Sequence, residues 1–367
     1  MQDMKKKWEE LERFYRGRRV LVTGHTGFKG SWLTRLLLNL GAEVCGYARR
    51  PPTDPSLFDA AGLGEAITDV DGDVRDLAHM QAVFAEFQPE AVLHLAAQPI
   101  VLDSYREPVY TYETNVMGTV HVLECLRQTP SVRTFVNVTT DKVYENREWE
   151  YGYRECDPLD GYDPYSNSKS CSELVTHSYA RSFFGDGRCR ISTSRAGNVI
   201  GGGDFAPDRI LPDCIRAVCQ GREIVVRNPH STRPYQHVLE PLYVYLTIAM
   251  KQWEDPAFAG YYNVGPEDRD CVTTGRLTDL FCGAWGEEAR WVNRGDGGPH
   301  EANFLKLDCS RIRNVFGWEP RLHVEEAVEW TVEWTRQYLE GADAAEIMDR
   351  QIDRFFCRQT LESSKNA

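Results

Sequence analysis

At 367 residues, with 42% hydrophobic and 26% charged content, the chain has the composition of a globular protein whose core is large enough for about two domains, which excludes a disordered chain. A formal net charge of −13 argues against a nucleic-acid partner, and the lack of any long apolar run predicts neither a signal-peptide core nor a membrane span, hence a cytoplasmic protein. The eleven cysteines are odd in number and form no C-x-x-C, so reduced thiols are expected and neither a disulfide framework nor a metal site.

Val20, Leu21 and Val22 form an apolar run that ends at Gly24, Gly27 and Gly30, after which Leu33, Leu36, Leu37 and Leu40 recur at i, i+3, i+4 and i+7. This reads as buried strand, phosphate loop and amphipathic helix. Gly24 permits the tight turn, Gly27 removes a Cβ from the path of a pyrophosphate, and Gly30 lets the helix pack close to the strand. Thr26, Phe28 and Lys29 complete the loop, and the helix N-terminus then faces an anion. Glu43–Ala48 is a second strand, giving the β-α-β opening of a doubly wound sheet. It ends in Arg49-Arg50, where an acidic residue commonly holds the adenosine ribose; the arginines suit the 2′-phosphate of NADP, or are solvated, or lie along the adenine, and NAD is favoured. Asp73, followed by Val74, is placed to accept from an adenine amino group; alternatively Asp73 or Asp76 caps the helix carrying Leu77, Met80, Phe84 and Phe87.

Ala91–Gln98 is an apolar strand whose end, Leu95-Ala96-Ala97, is small enough for a cofactor to pass, with His94 a wall residue. A helix is predicted from about Thr111 to Gln128, with Val116, Val120, Leu123 and Leu126 on one face. The next strand, from Thr134, runs into Thr139, Thr140, Asp141 and Lys142 at its carboxyl end, where open α/β sheets place their chemistry. Asp163 and Pro164 then start a helix with an expected apolar stripe of Cys171, Leu174, Val175 and Tyr179. Tyr165 and Lys169, four apart, project from one face of it, so that the ammonium can bond a ribose and lower the phenol's pKa. Beyond it the pattern is a strand from Ile191 to Val199, a helix opening at Asp208-Arg209, a strand at Ile224–Val226, Arg233–Val238 leading into a helix with Leu242 and Leu246, a strand at Tyr261–Gly265, and a helix from Ala327 to Tyr338. Ile347, Ile352, Phe355 and Phe356 are expected to pack on the body or on another subunit.

These residues resemble the extended short-chain dehydrogenase/reductases, and within them the nucleotide-sugar 4,6-dehydratases, most nearly the branch acting on CDP-glucose. The G-x-x-G-x-x-G loop, Ala96-Ala97-Gln98-Pro99, Thr114-Asn115-Val116-Met117-Gly118, Asp141-Lys142-Val143-Tyr144, Tyr165 with Lys169, Arg195-Ala196-Gly197-Asn198 and Arg233-Pro234 carry the resemblance, over about residues 18 to 335. It implies an α/β fold, a Rossmann-type doubly wound parallel sheet with a smaller mixed α/β C-terminal substrate-binding domain. The expected division is residues 1–195 with 234–264 returning to the dinucleotide-binding domain, 196–233 and 265–345 binding the nucleotide sugar, and a helical tail over 346–367.

The resemblance further implies bound NAD, a CDP-glucose substrate and a homodimer built on the helix Thr111–Gln128 and the helix of Tyr165, or a tetramer of two such dimers. Tyr165, with Lys169 and Thr140, takes the C4 hydroxyl proton while C4 gives hydride to the nicotinamide; Asp141 as acid and Lys142 as base then eliminate water across C5 and C6. An epimerase or reductase needs only the Thr-Tyr-Lys set, so the Asp-Lys pair points to a dehydratase. Arg209 and Arg233 have the fork geometry for a diphosphate, Asn198 donates to phosphate or sugar, and Ser104 and Tyr105 resemble sugar-facing positions. Asn115 is implied to support the active site, or is a plain helix-interior asparagine, and His300, Glu301 and Lys306 are either base-bordering or plain surface.

Overall fold

A computed structural model describes residues 2–295 and 304–357. His300 and Glu301 lie outside the described residues, as does the tail from 358 onwards. Among the described residues, seven strands form one wholly parallel sheet: β1 (Arg19–Thr23), β2 (Glu43–Ala48), β3 (Thr68–Asp71), β4 (Ala91–His94), β5 (Thr134–Thr140), β6 (Arg190–Ala196) and β10 (Tyr261–Val264). Their order, β10-β6-β5-β4-β1-β2-β3, reverses direction between β1 and β4, where Val20 pairs with Ala91 and with Val44 on its other side. That reversal opens the crevice in which such sheets bind ligands.

Parallel strands are buried on both faces, and each face here has its own apolar core. On one side the helices Gln2–Tyr15, Phe28–Asn39, Leu239–Glu254 and Ala344–Phe355 pack together around Leu33, Leu36, Leu246 and Ile352. On the other, Leu77–Phe87, Gly118–Gln128 and Pro164–Phe183 pack around Phe84, Leu123, Leu126 and Phe135. The last helix settles where Ile347, Ile352, Phe355 and Phe356 go: all four are buried against this chain, with the Phe356 ring edge-on to Trp8 at 4.9 Å.

A third core lies under two small sheets. β7 (Asn198–Ile200), β9 (Thr232–His237) and β11 (Cys271–Thr273) form one in the order β11-β9-β7, and β8 (Ile224–Val226) pairs with β12 (Trp291–Asn293) in the other. The strand predicted from Ile191 to Val199 is therefore two strands in two sheets. It breaks at Gly197, where a Cβ would stand 2.7 Å from Pro234 Cγ, so only glycine lets the chain cross β9 there. The helix predicted from Thr111 is also interrupted. Helical turns begin at Pro108, and Glu113–Met117 is a π-helical turn before the regular helix Gly118–Gln128. The extra residue shifts the buried face, so Thr111, Thr114 and Asn115 point inward above Leu123 and Leu126.

Candidate active site

The first half of the site is the loop after β1. Gly24 has φ +76°, and a Cβ on it would lie 2.7 Å from Ala96 N; a Cβ on Gly30 would lie 2.1 Å from Gly24 O. The protein's own backbone requires glycine at both. Gly27 differs, because a Cβ there would meet only Gly24 O, at an ordinary 3.5 Å. The space it leaves opens onto the first turn of the helix Phe28–Asn39, whose N–H groups have no partner within the helix. Thr26 closes the loop by donating from Oγ1 to Arg49 O at 2.9 Å.

Gly24, Thr26, Gly27, Phe28, Lys29 and Gly30 line a cavity of about 770 Å³, together with Asp73, Val74, Leu95, Ala96 and Ala97. Asp76 makes the helix cap by accepting from His79 N, which leaves Asp73 for the cavity wall. Arg75 donates to both Asp73 carboxylate oxygens and from its own backbone N–H, which holds that carboxyl below its ordinary range. Arg49 Nη1 donates to Tyr110 Oη at 2.9 Å, and the exposed Arg50 lies 3.5 Å from Asp71. His94 is the wall residue expected: buried, it sits between Thr23 Oγ1 (2.6 Å) and Thr119 Oγ1 (3.2 Å), and burial pushes its pKa down to about 3.

A second cavity of about 580 Å³ adjoins the first, sharing Phe28, Lys29 and Arg209 with it, and brings Thr139, Thr140, Asp141, Lys142, Tyr165, Asn198 and Arg233 together. These come from the carboxyl end of β5, the first turn of the helix Pro164–Phe183, and the strands β7 and β9. Asp163 accepts from Ser166 N at 2.9 Å and starts that helix as expected, with Pro164 in its first turn. Asp141 is fully buried; Oδ1 accepts from Thr140 Oγ1 at 2.9 Å while Oδ2 has no hydrogen-bond partner, and burial raises its pKa. A carboxyl in that state tends to hold its proton.

The phenol of Tyr165 departs from expectation. Burial pushes its pKa up to about 12, with the charge of Asp141 adding to the rise, against a hydrogen bond with Thr140 and the charge of Arg209, which pull it down. Lys169 donates to Val138 O at 3.2 Å, and burial lowers its pKa to about 8. Lys29, between the cavities, is lowered to about 7 by burial and by the cations Lys169 and Arg209.

Other predicted residues are placed elsewhere. Ser104 is buried outside both cavities and donates to Val101 O at 2.7 Å, in the preceding turn of its own short helix, so its hydroxyl is spent locally. Thr139 lines the second cavity, but its hydroxyl turns inward to Glu173 Oε1 at 2.5 Å. Lys306 pairs with Asp268 at 3.8 Å outside both cavities. Arg209 is held by Asp204 at 2.9 Å, and buried Arg233 donates to Thr232 O. Asn115 bridges: Oδ1 accepts from Gln98 N at 2.8 Å, and Nδ2 donates to Gln98 O and to Ser168 Oγ at 2.9 Å, tying the cofactor-side strand end to the helix of Tyr165.

The parallel sheet, the glycine loop at its switch point and the Tyr-x-x-x-Lys helix across a shared cleft define the class, an extended short-chain dehydrogenase/reductase. The chain belongs to the GDP-mannose 4,6 dehydratase family, whose model matches residues 21–331. It is 45% identical, over 353 residues covering 95% of this chain and 98% of the relative, to the CDP-glucose 4,6-dehydratase of Salmonella typhimurium. It is 29% identical to the dTDP-glucose 4,6-dehydratase of Streptomyces antibioticus, over 86% of this chain and 92% of that one. Among solved structures, a UDP-glucose 4-epimerase from Stenotrophomonas maltophila superposes with a TM-score of 0.77 at 22% identity, covering 89% of this chain and 100% of that one, and shows the shared fold. No helix among the described residues is long and apolar enough to cross a membrane.

Proposed function

We propose that this protein is an NAD-dependent nucleotide-sugar 4,6-dehydratase that converts CDP-glucose to CDP-4-dehydro-6-deoxyglucose and water, a step of deoxysugar biosynthesis. The similarity over nearly the whole length of a relative named for that reaction supports the substrate. The observation that carries the reaction class is Asp141, a buried carboxyl with one unpartnered oxygen, lining one cavity with Tyr165 and Lys142. Oxidation or epimerisation at C4 has no use for it.

NAD fits the first cavity. The space left by Gly27 and the N–H groups behind it suit a pyrophosphate, Asp73 an adenine amino group, and Leu95, Ala96 and Ala97 a passing ribose and nicotinamide. Arg49 and Arg50 are engaged by Tyr110 and Asp71, which favours NAD over NADP. Bound along the glycine loop and Leu95-Ala96-Ala97, NAD would supply a hydride acceptor for C4 and a hydride donor for C6. Tyr165 removes the C4 hydroxyl proton, with Thr140 bonding both phenol and sugar and Lys169 beneath. The new ketone acidifies C5–H, which Lys142 removes; Asp141 hands its proton to the departing C6 hydroxyl, and Lys142 returns a proton to C5 when C6 is reduced. Asn198, Arg209 and Arg233 hold the diphosphate and sugar.

We also place 1–195 and 234–264 in a dinucleotide-binding unit, supported by β10 joining the seven-stranded sheet, and the cavity wall from 196–233 and 265–345 in a substrate unit. Self-association as a homodimer is supported by the exposed apolar residues Val109, Met117, Leu174 and Phe183 on the helices 108–128 and 164–183. Eleven unpaired cysteines suit the reducing cytoplasm.

The test is to incubate protein and NAD with CDP-glucose, dTDP-glucose, GDP-mannose and UDP-glucose in parallel and follow each by mass spectrometry. Loss of one water from CDP-glucose alone, abolished by Lys142→Ala, is expected. Conversion without mass change would make the protein an epimerase and remove the roles of Asp141 and Lys142.

A further inference from the structure

Behind the Tyr165–Lys169 pair stands a charged group with no part in the scheme above. Tyr165, Lys169 and Glu173 follow at intervals of four along the helix Pro164–Phe183, so they form one row facing the sheet. Glu173 is fully buried and every oxygen is occupied. Oε1 accepts from Thr139 Oγ1 at 2.5 Å and from Arg195 Nε at 3.1 Å; Oε2 accepts from Thr193 Oγ1 at 2.6 Å, Arg195 Nη2 at 3.0 Å and His177 Nε2 at 3.1 Å. Arg195, on β6, is equally buried and continues through Nη1 to Tyr144 Oη at 2.8 Å. A buried ion pair is a poor device for stability, since apolar residues of similar volume serve as well or better. Its position one turn behind Lys169 calls for a different reason.

Lys169 is faced by Tyr165 and Glu173 on its own helix, by the Val138 carbonyl and Thr139 on β5, by His94 on β4 and by Lys29 on the helix Phe28–Asn39. Arg195 on β6 pairs with Glu173. His94 is uncharged at neutral pH, and Glu173, one turn along the helix and bonded to Thr139 beside the Val138 carbonyl that Lys169 reaches, is an anion whose charge favours the ammonium. Burial works against the ammonium and Glu173 works for it. The same carboxylate grips Thr139, the residue before Thr140, and so ties the strand end that presents Thr140 and Asp141 to the helix that presents Tyr165.

We propose that Glu173 is the positioning residue of this active site: as the buried counter-ion of Lys169 it keeps that side chain an ammonium at working pH, and through Thr139 and Arg195 it fixes the helix against β5 and β6. This rests on the reading of Tyr165 and Lys169 as the oxidising pair.

The test is Glu173→Gln in protein labelled at lysine Cε with 13C, with the Lys169 signal assigned by its loss in Lys169→Met and followed against pH. The expected result is a fall of one unit or more in the Lys169 midpoint, about tenfold less ammonium at a given pH above it, and an equal shift of the alkaline limb of turnover. Because Glu173→Gln strands the Arg195 cation, Glu173→Gln/Arg195→Gln is measured beside it, and the same fall is expected there. An unmoved midpoint in the folded variant, with turnover lowered evenly at every pH, would leave Glu173 a structural residue only and overturn the proposal. Tyr165→Phe separates the two readings. Full water loss by that variant would sink the oxidising pair, while a fallen Lys169 midpoint would still uphold the counter-ion.

Discussion

Two helices that flank the same parallel sheet bury opposite kinds of surface. Phe28–Asn39 puts Trp32, Leu33, Leu36 and Leu37 against its side of the sheet. Pro164–Phe183 turns Ser166, Ser168, Lys169, Ser170, Ser172, Glu173 and Thr176 inward and leaves Leu174 52% exposed. Of the expected apolar stripe, Val175 and Tyr179 pack against the core on this face and Cys171 is half-buried, while Leu174 stands out from it. The polar face can be buried because its groups have partners: Ser168 with Asn115, Ser172 with Asn137 and Thr119, Thr176 with Asn137, Glu173 with Arg195. An apolar face gains about 1.5–3 kcal/mol per buried leucine and tolerates small shifts. A hydrogen-bonded face gains only about 1 kcal/mol per bond, but any slip orphans several groups at 1–3 kcal/mol each. The first helix supplies stability; the second supplies a fixed register, which is what Tyr165 and Lys169 need.

The largest effect that tests this division is Tyr165→Phe, which removes one hydroxyl from the polar helix. Turnover should fall on the order of 10³-fold with little change in melting temperature. Leu36→Ala, on the apolar helix, should do the reverse, costing about 2–5 kcal/mol in denaturant unfolding while the folded fraction keeps its activity. If Leu36→Ala instead lowered specific activity with no loss of stability, the assignment of roles would be inverted.

A third helix, Leu239–Glu254, sharpens the point because its buried carboxyl is only half satisfied. Glu240 Oε1 accepts from Arg321 N and Leu322 N, but Oε2 has no partner, and burial raises the pKa to about 7 from an ordinary 4.5. Below about pH 4.5 both folded and unfolded states hold the proton and nothing is lost; as pH rises towards 7 the unfolded chain releases it first, and stability falls. Glu240→Gln should therefore be more stable than the parent by about 3 kcal/mol at pH 8 and equal to it at pH 4, measured by thermal unfolding. Ser172→Ala comes next, at about 1 kcal/mol, because it takes one of two acceptors from Asn137 Nδ2.

What the sequence made legible follows the same line. The glycine loop and the leucine helix could be read because their requirements are local: a positive φ at Gly24, no room for a Cβ on Gly30, a stripe every three or four residues. The helix start at Asp163-Pro164 is equally local. The inward face of Pro164–Phe183 was not legible, because Ser172 and Glu173 become core residues only when Asn137 and Arg195 arrive from other strands. Nor was the aim of Asn115, since a π turn shifts the helical phase without leaving a mark in periodicity. The break at Gly197 depends on Pro234, remote in sequence. For the site, the residue types were readable and the burial that acts on them was not, which is why the Tyr165 phenol lies at about 12.

The smallest effect on the single chain comes from the outward face of the polar helix. Leu174 lies more than half in solvent, and Met117 and Phe183, each 46% exposed, belong to the same pair of helices. Leu174→Lys should change unfolding free energy by less than about 0.5 kcal/mol, as exposed substitutions do. Its effect on assembly should be far greater: the mass by light scattering should fall to that of one chain, 41.9 kDa, because a buried ammonium without a partner is costly at the centre of an apolar contact. An unchanged mass would mean that Leu174 is solvated. A halved mass would mean that Leu174 seats the helix against a second copy, while Val175, Tyr179 and the hydrogen-bonded face hold it to its own sheet.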